Sequence, residues 1–212
     1  MNDLANDIKK VLITEAYLSL SQNRHSNPNY QLLVQESDQS ASLKTLKITH
    51  LNQQDFCFTL DLNHQRKFKT YSAYIDSSTD DGYDQRCDFV IMRKVAQQWH
   101  VYFGDLKSTS IKPKKCLKKL RASQLFFNYL LGLSQFNQNW QNPTTQIPQY
   151  QAHYLIVHDA GSKPANKNPA RAGNTKANYD QISTLKLIRL PLSVMSDGKA
   201  KISFNTITCP ST

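Results

Sequence analysis

Three side chains in the middle of the chain are of the kind that holds a divalent metal ion and attacks a phosphodiester. Asp88 stands in the otherwise apolar run Cys87-Asp88-Phe89-Val90-Ile91-Met92, and Asp105 and Lys107 close the run His100-Val101-Tyr102-Phe103-Gly104-Asp105-Leu106-Lys107. Alternate residues of a strand share a face, so Asp105 and Lys107 point the same way. A hairpin centred between Ala96 and Gln97 sets position 88 opposite position 105, because both lie equally far from that centre. Opposed residues have Cβ atoms roughly 4.5–5.5 Å apart. Two carboxylates that close repel each other unless a cation lies between them. Mg²⁺ takes oxygen ligands and often uses one or two carboxylates while keeping waters. Such an ion polarises a phosphoryl oxygen and acidifies a bound water. The lysine can place the attacking water or stabilise developing negative charge. A hairpin slipped by one residue would turn Asp88 to the other face and remove it from the set.

The elements that must position these groups are legible as periodic runs. Residues 4–20 are predicted to form a helix capped by Asp3, with Leu4, Ile8, Val11, Leu12 and Leu18 on one face. Residues 22–41 read as a polar loop with at most one short element around Tyr30–Val34. Strands are expected over 43–51 and 56–62, with a weaker candidate over 67–75 and an acidic loop over 76–85. The runs 87–93 and 99–106 form the hairpin. The longest helix is expected over 113–134, with Pro113 in its first turn and Leu117, Leu120, Phe127 and Leu131 as its apolar stripe. A Gln- and Asn-rich loop over 135–149, a strand over 150–157, a flexible loop over 159–180 and strands over 182–190 and 201–207 complete the chain. This order predicts one α/β or α+β domain, residues 1–212, built on a mixed central sheet flanked by helices. Glu15 and Gln124 fall at the centres of the two helical stripes. A glutamate facing a core is costly unless it is paired or bound to a metal.

The strand–turn–strand–helix order carrying Asp88 and then Asp105-Leu106-Lys107 resembles the PD-(D/E)xK nucleases, a family with a restriction-endonuclease-like core. The resemblance covers roughly residues 55–131 and, more loosely, the first helix. Cys87 stands where the family motif has proline, next to the first acid. The resemblance implies that Asp88 and Asp105 bind Mg²⁺ or Mn²⁺, with the Leu106 carbonyl as a further ligand and Lys107 as the catalytic lysine. Glu15 and Gln124 resemble the family's glutamate on the first helix, near the metal, and glutamine on the helix after the lysine motif, so the resemblance implies Glu15 as a further metal ligand and both as members of the catalytic set. The implied activity is that of a metal-dependent DNA endonuclease acting on double-stranded DNA in restriction or phage defence. It would work as a homodimer or with a partner protein of a defence system. An RNase, or a non-catalytic nucleic-acid- or partner-binding module on the same fold, are the alternatives.

The formal net charge of +10 suits polyanionic partners. Lys112, Lys114, Lys115, Lys118, Lys119 and Arg121 follow the motif directly and are candidate phosphate contacts. Lys163, Lys167, Arg171 and Lys176 in the 159–180 loop are further candidates, or a solvated surface. No apolar run approaches the ~18 residues that span a bilayer, and the N-terminal residues lack an export-like apolar region. No membrane association and a cytoplasmic location are therefore expected. Cys57, Cys87, Cys116 and Cys209 form no C-x-x-C pair, which argues against a zinc site or a disulfide framework. His153 and His158 are five apart in a strand and make a poor metal pair. No nucleophile elbow, P-loop or dinucleotide fingerprint occurs. Asp80, Asp81 and Asp84 lack the spacing and final glutamate of a calcium loop.

Overall fold

The computed structural model describes residues 3–22, 29–36, 38, 40–62, 85–108, 111–138, 148–160 and 177–208. Apolar residues at alternate positions build the principal sheet from β4 (Phe56–Phe58), β5 (Phe89–Val95), β6 (Gln98–Lys107), β7 (Tyr150–Asp159), β8 (Asn178–Ile182) and β9 (Leu185–Leu192). Its order is β4-β5-β6-β7-β9-β8. β6, β7 and β9 run parallel, and the flanking pairings are antiparallel. A second sheet is ordered β1-β2-β3-β10, from β1 (Leu20–Gln22), β2 (Tyr30–Gln35), β3 (Thr45–Leu51) and β10 (Lys199–Ser203). The expected α+β class with mixed sheets is what the chain adopts.

The principal sheet is covered on both faces. Val90, Met92, Val101, Phe103 and Ile156 pack on one side against α1 (Leu4–Val11) and α2 (Pro113–Gln138). Phe89, Ile91, Tyr102, Leu155 and Val157 pack on the other against the second sheet and α3 (Phe204–Thr208). The period of two thus sorts each strand between two apolar layers. The Asp105 side of β6 faces the helices.

Several boundaries differ from expectation. The first helix stops at Val11, and Leu12 is extended at φ −90°, ψ 133°. The run Val11-Leu12-Ile13-Thr14 is largely β-branched, and such side chains lose rotamer freedom in a helix. The following segment pairs with β4 instead: the Leu18 N–H donates to Cys57 O at 2.9 Å and the Thr59 N–H donates to Ala16 O at 2.8 Å. Tyr30–Gln35 is a full strand in what reads as loop, and the long helix continues to Gln138. The last expected strand becomes helix at Phe204, whose ring and that of Tyr102 meet edge to face at 4.9 Å. The candidate strand 67–75 lies outside the described residues. So does most of the 159–180 loop, with Lys163, Lys167, Arg171 and Lys176. The described end of that loop is β8.

Candidate active site

The β5–β6 hairpin has the register that counting from Ala96-Gln97 requires. Val95 pairs with Gln98 and Phe89 with Gly104. The paired ladder ends there, and the Asp88 N–H donates at 3.0 Å to the carbonyl of the same Gly104 that faces Phe89. Asp88 thus stands one residue beyond the last paired position and is not paired with Asp105 as counting expects, but the two carboxylates are neighbours, since one ammonium, that of Lys119, reaches both. Gly104 is needed here because a Cβ on it would fall 2.0 Å from Phe89 Cζ. The ring of Phe89 fills the space over Gly104 on the opposite face of the hairpin, packed against the second sheet.

Asp105 is fully buried and Asp88 nearly so, its side chain 12% exposed. The Leu106 N–H donates to Asp88 Oδ2 at 2.5 Å and fixes that carboxylate. The Lys107 Nζ lies 2.7 Å from Asp105 Oδ2. That oxygen accepts no hydrogen bond of good geometry, so the contact is an ion pair without alignment. The Lys119 Nζ, on α2, donates to Asp105 Oδ1 and sits 3.7 Å from Asp88 Oδ1. Burial pushes the Asp88 carboxyl well above the usual carboxylate range, and Asp105 adds to it, against the pull of Lys119 and the Leu106 N–H. Burial also pulls the Lys119 ammonium down, but the two aspartates outweigh it and the net displacement is upward. Two acids and two lysines thus form a nearly neutral, mostly buried cluster.

Lys119 belongs to this cluster and not to an open phosphate-binding face. It lies three residues after Cys116 and four before Ser123, both buried, so all three share the helix face turned to the sheet. Ser123 is a further member: its hydroxyl donates to Lys119 O at 3.2 Å and accepts from the Cys87 N–H at 2.8 Å. Cys87 itself is a buried free thiol, pushed up to about 12 mainly by burial. It packs in the core beneath the helices.

No family model, curated protein or solved structure matches the chain.

Two expected members stand elsewhere. Glu15 is exposed in the short 3₁₀ turn Thr14–Ala16, where it accepts from the Thr14 hydroxyl at 3.3 Å. With α1 ended at Val11, the stripe that would have turned Glu15 inward does not extend to it. The carboxylates beside Asp88 are instead Glu36, just past β2, and Asp61, which line with it a cleft of about 270 Å³. Gln124 is held by hydrogen bonds to its Oε1 from Tyr154 Oη at 2.5 Å and Arg121 Nη1 at 2.6 Å. Arg121 also donates to Tyr154 Oη at 2.9 Å. Both residues fasten α2 to β7, and Arg121 is not an open phosphate contact. Lys112, Lys114, Lys115 and Lys118 are exposed at the start of α2.

Among the described residues no three His, Cys, Asp or Glu side chains gather as a metal-holding group. The donor set at Asp88 and Asp105 still fits a hard divalent cation, which often takes one or two carboxylates and completes its shell with water. The Asp105 oxygen without a hydrogen bond, and an ammonium already between the carboxylates, both mark a place for positive charge. Among the described residues no helix is long and apolar enough to cross a membrane.

Proposed function

We propose that this chain is a metal-dependent nuclease that hydrolyses phosphodiester bonds, with double-stranded DNA as substrate. The observation that carries it is the cluster at the end of the hairpin, where the Asp88 and Asp105 carboxylates share Lys119 and Lys107 lies against Asp105. Asp88 and Asp105, with the Leu106 carbonyl, would hold Mg²⁺ or Mn²⁺, and the bound ion supplies a Lewis acid and an acidified water. Asp88 is oriented for this by the Leu106 N–H. Lys107 carries the charge that offsets a developing phosphorane. Lys112, Lys114, Lys115 and Lys118 lie beyond it, where the substrate backbone would run. A restriction or defence role, a cytoplasmic location and a homodimer or defence-system partner extend this proposal on resemblance.

The test is plasmid cleavage with Mg²⁺ or Mn²⁺ by the wild type, Asp105→Ala and Lys107→Ala, with a structured RNA run alongside. We expect cleavage by the wild type and a loss of at least about 10²-fold in each variant, the scale on which single charged participants act. Equal cleavage by all three would sink the site assignment. One observation favours a second reading, a non-catalytic binding module: Lys119 already neutralises the acid pair. That module would bind DNA in a salt-sensitive way, show no cleavage whichever metal is added, and bind equally well as Lys107→Ala.

A further inference from the structure

Lys119 faces two environments at once. Its Nζ holds Asp105 and lies 3.7 Å from Asp88, yet the same side chain lines a cavity of about 120 Å³ together with Lys107, Lys112 and Lys115. That volume is well above the ~10–15 Å³ one water needs on this measure. Four lysines therefore line one small space, with Gln85 and Cys116. It opens at the start of α2, and residues 113–138 contain no Asp or Glu. Lysines at a helix N-terminus stand against the positive end of the macrodipole. An anion seated among them would relieve that opposition.

The charge count then sets a constraint. Asp88, Asp105, Lys107 and Lys119 nearly cancel. Adding a divalent cation between the carboxylates without moving Lys119 would leave about two excess positive charges in a mostly buried place, where like charges repel strongly. Lys119 is on a four-carbon stem and can turn away; a compact ammonium on such a stem is suited to changing partners.

We propose that Lys119 is an exchangeable counter-ion: a divalent cation displaces its ammonium from Asp88 and Asp105, and the freed ammonium closes the four-lysine cavity around a phosphate group of the nucleic acid. This rests on the nuclease proposal and deepens it. Metal and phosphate then bind cooperatively, and Lys119 couples them. Lys107 keeps Asp105 company throughout, and Lys112 and Lys115 supply charge that does not depend on metal.

The test is titration calorimetry of Mn²⁺ into the full-length wild type, Lys119→Met, Lys119→Arg and Asp105→Asn, together with fluorescence anisotropy of a short labelled duplex with and without Ca²⁺. Lys119→Met is expected to bind Mn²⁺ at least about tenfold more tightly than the wild type, since its competitor is gone. Lys119→Arg is expected to bind it more weakly, because a forked guanidinium holds two carboxylates better than an ammonium does. Ca²⁺ should raise duplex affinity in the wild type and raise it severalfold less in Lys119→Met. If Lys119→Met does not fold, Lys119→Arg decides: weaker Mn²⁺ binding supports the exchange, and equal or tighter binding overturns it. Mn²⁺ binding in Lys119→Met no tighter than in the wild type, or an equal Ca²⁺ effect on the duplex in both, overturns the exchange and leaves the nuclease proposal standing. Mn²⁺ binding to none of the four proteins, or binding undiminished in Asp105→Asn, overturns both.

Discussion

Gly104 is the narrowest point in the hairpin. An alanine there would drive its Cβ into a Phe89 ring that has no exposure of its own. We expect Gly104→Ala to cost about 1–3 kcal/mol, the range for overpacking a filled core, read as a lowered urea midpoint. A second residue-scale expectation concerns His153. Its Nε2 lies 3.0 Å from His100 Nδ1, with the rings within 8° of coplanar. Burial lowers His153 from an ordinary 6.5 to about 4, with His100 and then Lys186 adding to the effect. The unfolded chain therefore takes up a proton before the folded one does. Stability contributed by the neutral ring is complete above about pH 6.5 and is lost as pH falls from there towards about 4. Urea midpoints near pH 7 and pH 5 should differ more for the wild type than for His153→Gln. At this scale Asp88, Asp105 and Lys107 were readable, because strand period and distance from a turn need only counting. Lys119 was hidden by its basic neighbours; the buried spacing Cys116, Leu120, Ser123 was the signal that one lysine of the run points inward. Glu36 had no such signal, since its place beside Asp88 comes from the packing of one sheet on the other.

Elements were readable where their period was long and uninterrupted, as in β5, β6, β7 and α2. They were misread where two local preferences compete. The chain after Val11 could continue as helix or pair with β4, and its β-branched residues together with the free edge of β4 settle that in favour of pairing. Residues after Ser203 carry strand-like composition, but the Ser203 hydroxyl accepts from the Asn205 N–H at 3.3 Å, and Phe204 and Ile207, three apart, are both buried in the helix. The hairpin turn yields a prediction of its own. Ala96 holds φ at 53°, a region that costs a non-glycine residue ~1–2 kcal/mol. Ala96→Gly should raise stability by about 0.5–1 kcal/mol after the entropic cost of glycine, measured as a higher Tm, with the register intact.

Across the whole molecule, the two sheets are joined by charge as well as by apolar packing. Arg93 on β5 grips Asp55 with Nε to Oδ1 at 2.9 Å and Nη2 to Oδ2 at 2.5 Å, donates to His50 O at 3.3 Å, and lies 4.2 Å above the Phe204 ring. Asp55→Ala leaves that guanidinium buried without its partner, and should cost about 3–5 kcal/mol in thermal or chemical unfolding. The closing of the second sheet matters in another way. β2 supplies Leu33, Val34 and Gln35 to the cleft beside Asp88; it leans on β3, and β3 is paired from Thr45 to Thr49 with Lys199 to Ser203 of β10. During synthesis, some 150 residues therefore leave the ribosome between β3 and the strand that completes its sheet. The wall of the cleft beside the acid pair stays unfinished until β10 has been made, so any chemistry that needs that wall waits for β10.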